Sequence, residues 1–378
     1  MLTVNSVLGL LTHTYRTGAK GMISYDSRLL GERLCLRPSM IKFSGSDATA
    51  IEVCGAAYNP LPMYLNRQLI KILEDLGVPN ETFHSLQEDA LEHLKMMTSS
   101  AINAAIHLED HSIGLAAQLP WLLRNLESLR LPFQADGFLR GTVEMAALIS
   151  LRELKYRTRI PVEKGVTLYG IMDETGYLEE GEIFCVTDNV REGRNVITGL
   201  VTITRSPALH PGDVQAVRAV NVPASSPLFE LHNCVVFSQK GKRDLPSQLS
   251  GGDLDGDLYN VIYHRGLLPK RTFSPADYPR VPPEDIGRPV ERRDMYEFFI
   301  RFMESDQLGR IATLHQVLAD QAPAGTADKN CLILADLHST AVRIAQFQAS
   351  VTARTAVWQL TLFYSQVDFS KTGIPVSL

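Results

Sequence analysis

Apolar and polar positions follow different rhythms along this chain, and the rhythm divides it into blocks. Residues 20–58 hold short apolar pieces, Gly21–Tyr25, Leu34–Leu36 and Ile51–Val53, parted by turn residues, which predicts strands. After Pro62 the spacing changes. Leu65, Leu69, Ile72, Leu73 and Leu76 fall at helical intervals, and Gly77 supplies a stop. Residues 83–152 stay helical in character, with Pro120 and Pro132 as punctuation. Strand character returns over 159–263, in Val166–Met172, Ile183–Val186, Val196–Thr204, Cys234–Phe237 and Leu258–Tyr263. Turn signals at Asp173–Gly176, Pro211–Asp213 and Gly251–Gly252 separate them, so a compact barrel or sandwich is expected. A proline-rich connector fills 266–293. Phe298, Phe299, Phe302, Leu308, Ile311 and Leu314 then predict helix from Arg293 to about Asp320.

Composition narrows the class. The chain has 378 residues, 45% of them hydrophobic and 21% charged, enough to bury more than one core. A net charge of −5 argues against an all-over basic surface, so any nucleic-acid contact must come from local clusters. Cys35, Cys54, Cys185, Cys234 and Cys331 form no CxxC pair and are odd in number. That fits reduced, mostly buried thiols in the nucleus or cytoplasm. No secretory leader and no run of the roughly 18 apolar residues a membrane helix needs is visible, so no membrane partner is expected.

The chemistry concentrates in Leu249–Tyr259, where Asp253, Asp255 and Asp257 alternate behind two glycines. Three close carboxylates repel one another unless a cation intervenes. A solvated acidic turn is the plain alternative. A calcium loop counted from Asp253 would need Gly at its sixth position and Glu at its twelfth, and finds Leu258 and His264. Mg²⁺ takes few carboxylates and fills its remaining positions with water and phosphate, which points to phosphoryl or nucleotidyl transfer.

The surroundings of this loop carry a resemblance. Arg205-Ser-Pro-Ala-Leu-His-Pro-Gly-Asp213, Val235-Val-Phe-Ser-Gln-Lys-Gly241 and Ser250-Gly-Gly-Asp-Leu-Asp-Gly-Asp257 resemble the catalytic segment of the eukaryotic RNA-dependent RNA polymerases of RNA silencing. Gly18-Ala-Lys-Gly21, Leu36-Arg-Pro-Ser-Met-Ile-Lys-Phe43 and Leu65-Asn-Arg-Gln68 match in the same order. So do Arg159-Ile-Pro-Val162, Asp173-Glu-Thr-Gly176, Leu308-Gly-Arg-Ile311 and Leu337-His-Ser339.

The resemblance implies an α+β fold with two double-psi β-barrels forming a catalytic cleft, a helical bridge and a helical C-terminal segment. The first barrel would occupy 1–60, the bridge 61–154, the second barrel 155–265, and the connector and helical segment 266–378. The implied activity is RNA-directed RNA synthesis, turning single-stranded RNA into double strands for small-RNA production. Template RNA, NTPs and the RNA product would be its partners, with helicase, Argonaute or Dicer proteins alongside. Asp253, Asp255 and Asp257 would hold Mg²⁺, with Mn²⁺ as a substitute. Lys20 and Lys42 would face them across the cleft, with Arg16 and Arg37 on the same blocks. Arg205, Lys240 and Lys242 would touch template or product phosphates. The basic run Arg152, Lys155, Arg157, Arg159 and Lys164 would line the RNA channel or form a solvated face. His210 is expected to shape a turn, and His315 and His338 to be structural.

The chain also departs from the family. Leu11-Thr-His-Thr-Tyr-Arg16 replaces the usual Gln-Ile-Arg run. Residues 342–366 separate Leu337–Val342 from Val367–Gly373, halves that are usually contiguous, and read as an in-frame intron. The end at Leu378 reads as a fragmentary gene model or a truncated paralogue. A truncated, non-catalytic RNA-binding remnant is therefore the alternative function, and a DNA-dependent polymerase subunit a weaker one.

Overall fold

A computed structural model describes residues 10–13, 19–31, 33–41, 52–111, 113–189, 193–278, 286–305 and 307–347. Most of the expected insert at 342–366 lies outside them, as do Arg16 and Lys42.

The chain opens with strands β1 (Leu10–His13), β2 (Gly21–Ile23) and β3 (Glu52–Ala56), which form an antiparallel sheet in the order β2-β1-β3. Leu34–Leu36, expected as a strand, is irregular and at least partly exposed. Three apolar residues with no buried surface to cover do not need a sheet. Strand β4 (Leu61–Tyr64) leads into helix α1 (Arg67–Asp75). The Asn66 side chain accepts from the Leu69 amide at 2.9 Å and so caps α1. Leu69, Ile72 and Leu73 face inward, and Gly77 at φ +92° ends the segment.

Helices α2 (Asn80–Ser99), α3 (Ala101–Asp110), α4 (Leu119–Ser128) and α5 (Gly137–Arg157) enclose Met97, Ala104, Leu108, Leu123, Phe133 and Val143. Pro120 sits in the first turn of α4, where its missing N–H costs nothing, and Pro132 lies between α4 and α5.

The remaining strands are β5 (Pro161–Met172), β6 (Glu182–Asn189), β7 (Gly193–Ile197), β8 (Gly199–Arg205), β9 (Val214–Ala219), β10 (Cys234–Phe237) and β11 (Leu258–Ile262), with the short helix α6 (Leu245–Gln248) before β11. Six of them close on themselves in the order β10-β5-β11-β8-β9-β6, because β6 also pairs with β10. β10 with β5 and β6 with β9 are parallel, and the other four pairs of the ring are antiparallel. The expected strand Val196–Thr204 is two strands. Gly199 at φ +103° breaks the run, so β7 hangs on β6 while β8 joins β9 and β11. β4, assigned from sequence to the helical bridge, hydrogen-bonds to β5.

Val201, Ile203, Val235, Phe237, Tyr259 and Val261 share one core cluster. Phe184 and Val186, which flank Cys185 of that cluster, and Cys234 and Val236, which flank Val235, pack on the other face with Met22 of the first sheet. Burial on both faces makes β10 a continuous apolar run rather than an alternating one. Helix α1 covers a third region, against Met63, Val162, Val214 and Ile262.

Helices α7 (Arg292–Ser305), α8 (Leu308–Gln321) and α9 (Lys329–Phe347) complete the described chain. The single helix expected over 293–320 is broken between α7 and α8. Ile311, Leu314, Leu334 and Leu337 join α8 to α9. Among the described residues no helix is long and apolar enough to cross a membrane.

Candidate active site

The acidic loop is built by local backbone geometry. Ser250 at φ +53° and Gly251 at φ +63° turn the chain after α6 in the left-handed region, which Ser rarely enters. At Gly252 a Cβ would lie 2.7 Å from Arg205 Cδ and 2.8 Å from Tyr259 Oη, so any larger residue must displace them. Gly256 at φ +131° bends the chain again before β11. The buried Tyr259 donates its hydroxyl hydrogen to the Asp253 carbonyl at 2.9 Å, and the Asp253 amide donates to Asp257 Oδ2 at 2.8 Å. The outcome is convergence: one carboxylate oxygen from each of Asp253, Asp255 and Asp257 lies within 4.8 Å of the others.

Two cations grip the edges of this cluster. Arg205, at the end of β8, meets Asp257 through Nε at 2.6 Å and Nη2 at 2.9 Å, and donates to the Ser250 carbonyl at 3.2 Å. This two-pronged pair is nearly buried, with the Arg205 side chain 9% exposed. Lys20 Nζ reaches Asp255 Oδ2 at 2.6 Å. Lys20 arrives from the first sheet because Met22, two residues on, packs against Ile171, Phe184 and Val236 of the barrel. Asn233 reinforces that seat by donating to the Ala57 and Tyr58 carbonyls at 3.2 and 3.0 Å.

Burial, then the neighbouring Asp255 and Asp257 carboxylates, pushes Asp253 up to about 7. The surrounding protein thus leaves negative charge at the loop incompletely balanced. A hard divalent cation fits such a set, because carboxylate oxygens are its preferred donors.

The loop has a support that the sequence reading missed. Asp213, 1% exposed, accepts at Oδ2 from the Leu209 and His210 amides, at 3.2 and 3.0 Å. Its Oδ1 accepts from the Ser250 amide at 3.0 Å and from the Tyr278 hydroxyl. Burial pushes this carboxyl up to about 6, against four donors that favour its charged form. Asp213 therefore ties the turn after β8 and a residue of the proline-rich connector to the strained Ser250 backbone. The His-Pro-Gly-Asp run was visible in sequence, but nothing there indicated what Asp213 would hold.

Arg205, expected at RNA phosphates, points inward onto Asp257 at the edge of the triad. Other expected residues lie elsewhere. Arg37 pairs with Glu174 at 3.1 Å and reaches the Met22 carbonyl at 3.4 Å. Lys240 pairs with Glu179 at 2.5 Å on the surface. His210 accepts from the Gly212 amide at 3.0 Å and shapes its turn. His315 and His338 are buried in α8 and α9.

Comparison with known proteins bears on this geometry. A family model described as RNA dependent RNA polymerase matches residues 15–345. RNA-dependent RNA polymerase 1 of Arabidopsis thaliana is 35% identical over 329 residues, covering 86% of this chain and 29% of that protein. Probable RNA-dependent RNA polymerase 1 of Oryza sativa subsp. japonica is 33% identical, covering 95% of this chain and 44% of that one. RNA-dependent RNA polymerase 1 of Schizosaccharomyces pombe is 32% identical over 309 residues, covering 75% of this chain and 25% of that protein. The chain thus spans less than half the length of these relatives. Among solved structures, the RNA dependent RNA polymerase QDE-1 from Thielavia terrestris superposes with a TM-score of 0.69 at 18% identity, covering all of this chain and 45% of that one. That likeness speaks to the fold, while the family match includes β2, β3, the barrel and the acidic loop between α6 and β11. The chain belongs to the RNA-dependent RNA polymerase family and carries its core fold.

Proposed function

We propose that this chain is the catalytic core of an RNA-directed RNA polymerase that copies single-stranded RNA into double strands for small-RNA production in silencing. The observation that carries the reading is the convergence of Asp253, Asp255 and Asp257, with Lys20 brought to the triad from a separate sheet. In the reaction a 3′-hydroxyl oxygen bonds to the α-phosphorus of an NTP, the α–β phosphoanhydride breaks, pyrophosphate leaves and the hydroxyl proton passes to solvent. Mg²⁺ or Mn²⁺ held by the three carboxylates would lower the hydroxyl pKa and neutralise the phosphates. Arg205 and Tyr259 fix Asp257 and the Asp253 backbone, so the carboxylates keep their spacing while substrate exchanges. Lys20 offers positive charge at the edge of the triad, where a triphosphate needs it.

The closed six-stranded barrel supports a double-psi topology for 155–265, and β1–β3 would be part of a second barrel within 1–60. The bridge would be 61–154 and the connector with its helices 266–378. Action in the nucleus or cytoplasm, beside helicase, Argonaute or Dicer proteins, follows from the silencing role.

Primer extension with NTPs, single-stranded RNA and Mg²⁺ tests the reading. Incorporation by the wild-type chain and at least a hundredfold loss in Asp255→Ala is expected, on the order seen when one charge-stabilising group is removed. Equal incorporation by both chains would refute the role of the triad. RNA and DNA templates in competition separate this activity from a DNA-dependent one.

A further inference from the structure

The basic run Arg152, Lys155, Arg157, Arg159 and Lys164 takes no part in the acidic centre, and all five residues are exposed. Arg159 differs from the rest in its surroundings. Its guanidinium lies 4.2 Å from the centroid of the Tyr64 ring. Tyr64 tilts against His111 at 5.7 Å, and His111 stacks on His107 at 3.9 Å. His107 is fixed by Ser150 Oγ at 2.9 Å, and His111 by the His107 carbonyl at 2.8 Å. Burial, with repulsion from His111, lowers His107 to about 4, and burial also lowers His111. Four planar groups therefore form a column that runs from α3 to the surface and ends on Arg159.

Beside Arg159 opens a cavity of about 370 Å³, whose wall includes Tyr64, Asn66, Thr167, Ser206 and Asn260. Its polar groups are ordered. Thr167 Oγ1 donates to Asn260 Oδ1 at 2.7 Å, and Asn260 Nδ2 donates to Ser206 Oγ at 3.3 Å. The site is tied to the triad by the chain itself. Asn260 follows Asp257 by three residues into β11, about 10 Å along a strand. Ser206 directly follows Arg205, which grips Asp257.

We propose that this cavity is a subsite for one unpaired ribonucleotide, its base laid on the open face of Arg159 and its edge or 2′-hydroxyl met by Asn260, Ser206 and Thr167. Unpaired bases stack on guanidinium planes as well as on aromatic rings, and amide and hydroxyl side chains read their edges. Lys155 and Arg157, the latter 3.4 Å from Glu153, precede Arg159 by four and two residues and supply positive charge for a neighbouring phosphate. The inference rests on the polymerase reading only in taking RNA as the polymer. A nucleotide within a strand and a free nucleotide share this chemistry, and a strand is the occupant because exposed Lys155 and Arg157, within four residues of Arg159, can meet the phosphates that flank the bound nucleotide.

Fluorescence anisotropy of a labelled short oligoribonucleotide, on the full chain without NTPs or divalent cations, tests it. Arg159→Ala is expected to weaken binding about tenfold, the scale of one lost stacking partner. Arg159→Lys keeps the charge but not the plane, and is expected to stay nearly as weak with an unchanged salt slope. A 4-thiouridine oligomer should photo-crosslink to β4, β5 or β11. Wild-type affinity in Arg159→Lys, or a crosslink confined to other elements, overturns the subsite. Competition by AMP as strong as by the oligomer overturns its assignment to a strand. Should Arg159→Ala not fold, Asn260→Ser and the crosslink decide, with reduced discrimination of RNA from DNA expected. A chain that fails primer extension but keeps Arg159-dependent binding loses the polymerase reading and retains the subsite. A chain that extends primers but binds the oligomer independently of Arg159 loses the subsite alone.

Discussion

Single side chains decide whether the acidic loop can exist at all. Asp253 bears the main electrostatic cost, since burial and its two carboxylate neighbours push it up to about 7. A folded value above the unfolded one near 3.8 favours the folded state at low pH. Without a divalent cation, that contribution is full below about pH 4 and lost as pH rises through 7. Binding a cation must expel the Asp253 proton, so affinity should fall about tenfold per pH unit below 7. The rise in melting temperature produced by Mg²⁺ should therefore be larger at pH 8 than at pH 6, with the difference reduced in Asp253→Asn. An equal rise at both pH values would show that Asp253 does not take part in binding. That the three aspartates would form one cluster was legible in the sequence, because their spacing is local. Arg205 was legible as a cation but not as the partner of Asp257, since 52 residues separate them.

At the scale of elements, the turn from α6 to β11 works because two neighbouring groups leave no room beside Gly252. An alanine there would press on Arg205 Cδ at 2.7 Å and on Tyr259 Oη at 2.8 Å. Both atoms belong to groups that fix the carboxylates. Gly252→Ala should therefore cost about 1–3 kcal/mol of stability, as overpacking does. Its kcat should fall by more than the stability loss alone explains, which urea titration beside primer extension will measure. Activity equal to wild type would mean that the loop tolerates displacement of Arg205. Element reading from sequence succeeded where one periodicity prevailed, as in α1 and β10. It failed at Val196–Thr204, where a positive-φ glycine assigns halves of one apolar run to different partners. It also failed at Val214–Ala219, whose strand has too mixed a pattern to announce itself and is held by β8 and β6.

Across the whole molecule, α1 joins the layers. Ile72, fully buried, sits in one cluster with Met63, Val162, Val214 and Ile262. On the same helix Asp75 accepts from the Thr326 amide at 2.6 Å, tying α1 to the turn between α8 and α9. Ile72→Ala should cost about 2–5 kcal/mol and loosen barrel and C-terminal helices together. Hydrogen exchange should then show both regions losing protection. Loss confined to α1 would mean that the layers are independent. What the sequence by itself determined is the family: three alternating aspartates, the glycines that let them converge, and flanking blocks dense enough to mark its core. These are contiguous features, and short segments carry them intact. Tertiary structure alone decided the pairings. It closed six strands into a barrel, turned Arg205 inward and hung the loop on Asp213 and Tyr278. Such contacts depend on the register and packing of elements distant in the chain, and no local pattern encodes which of many cations or carboxylates will meet.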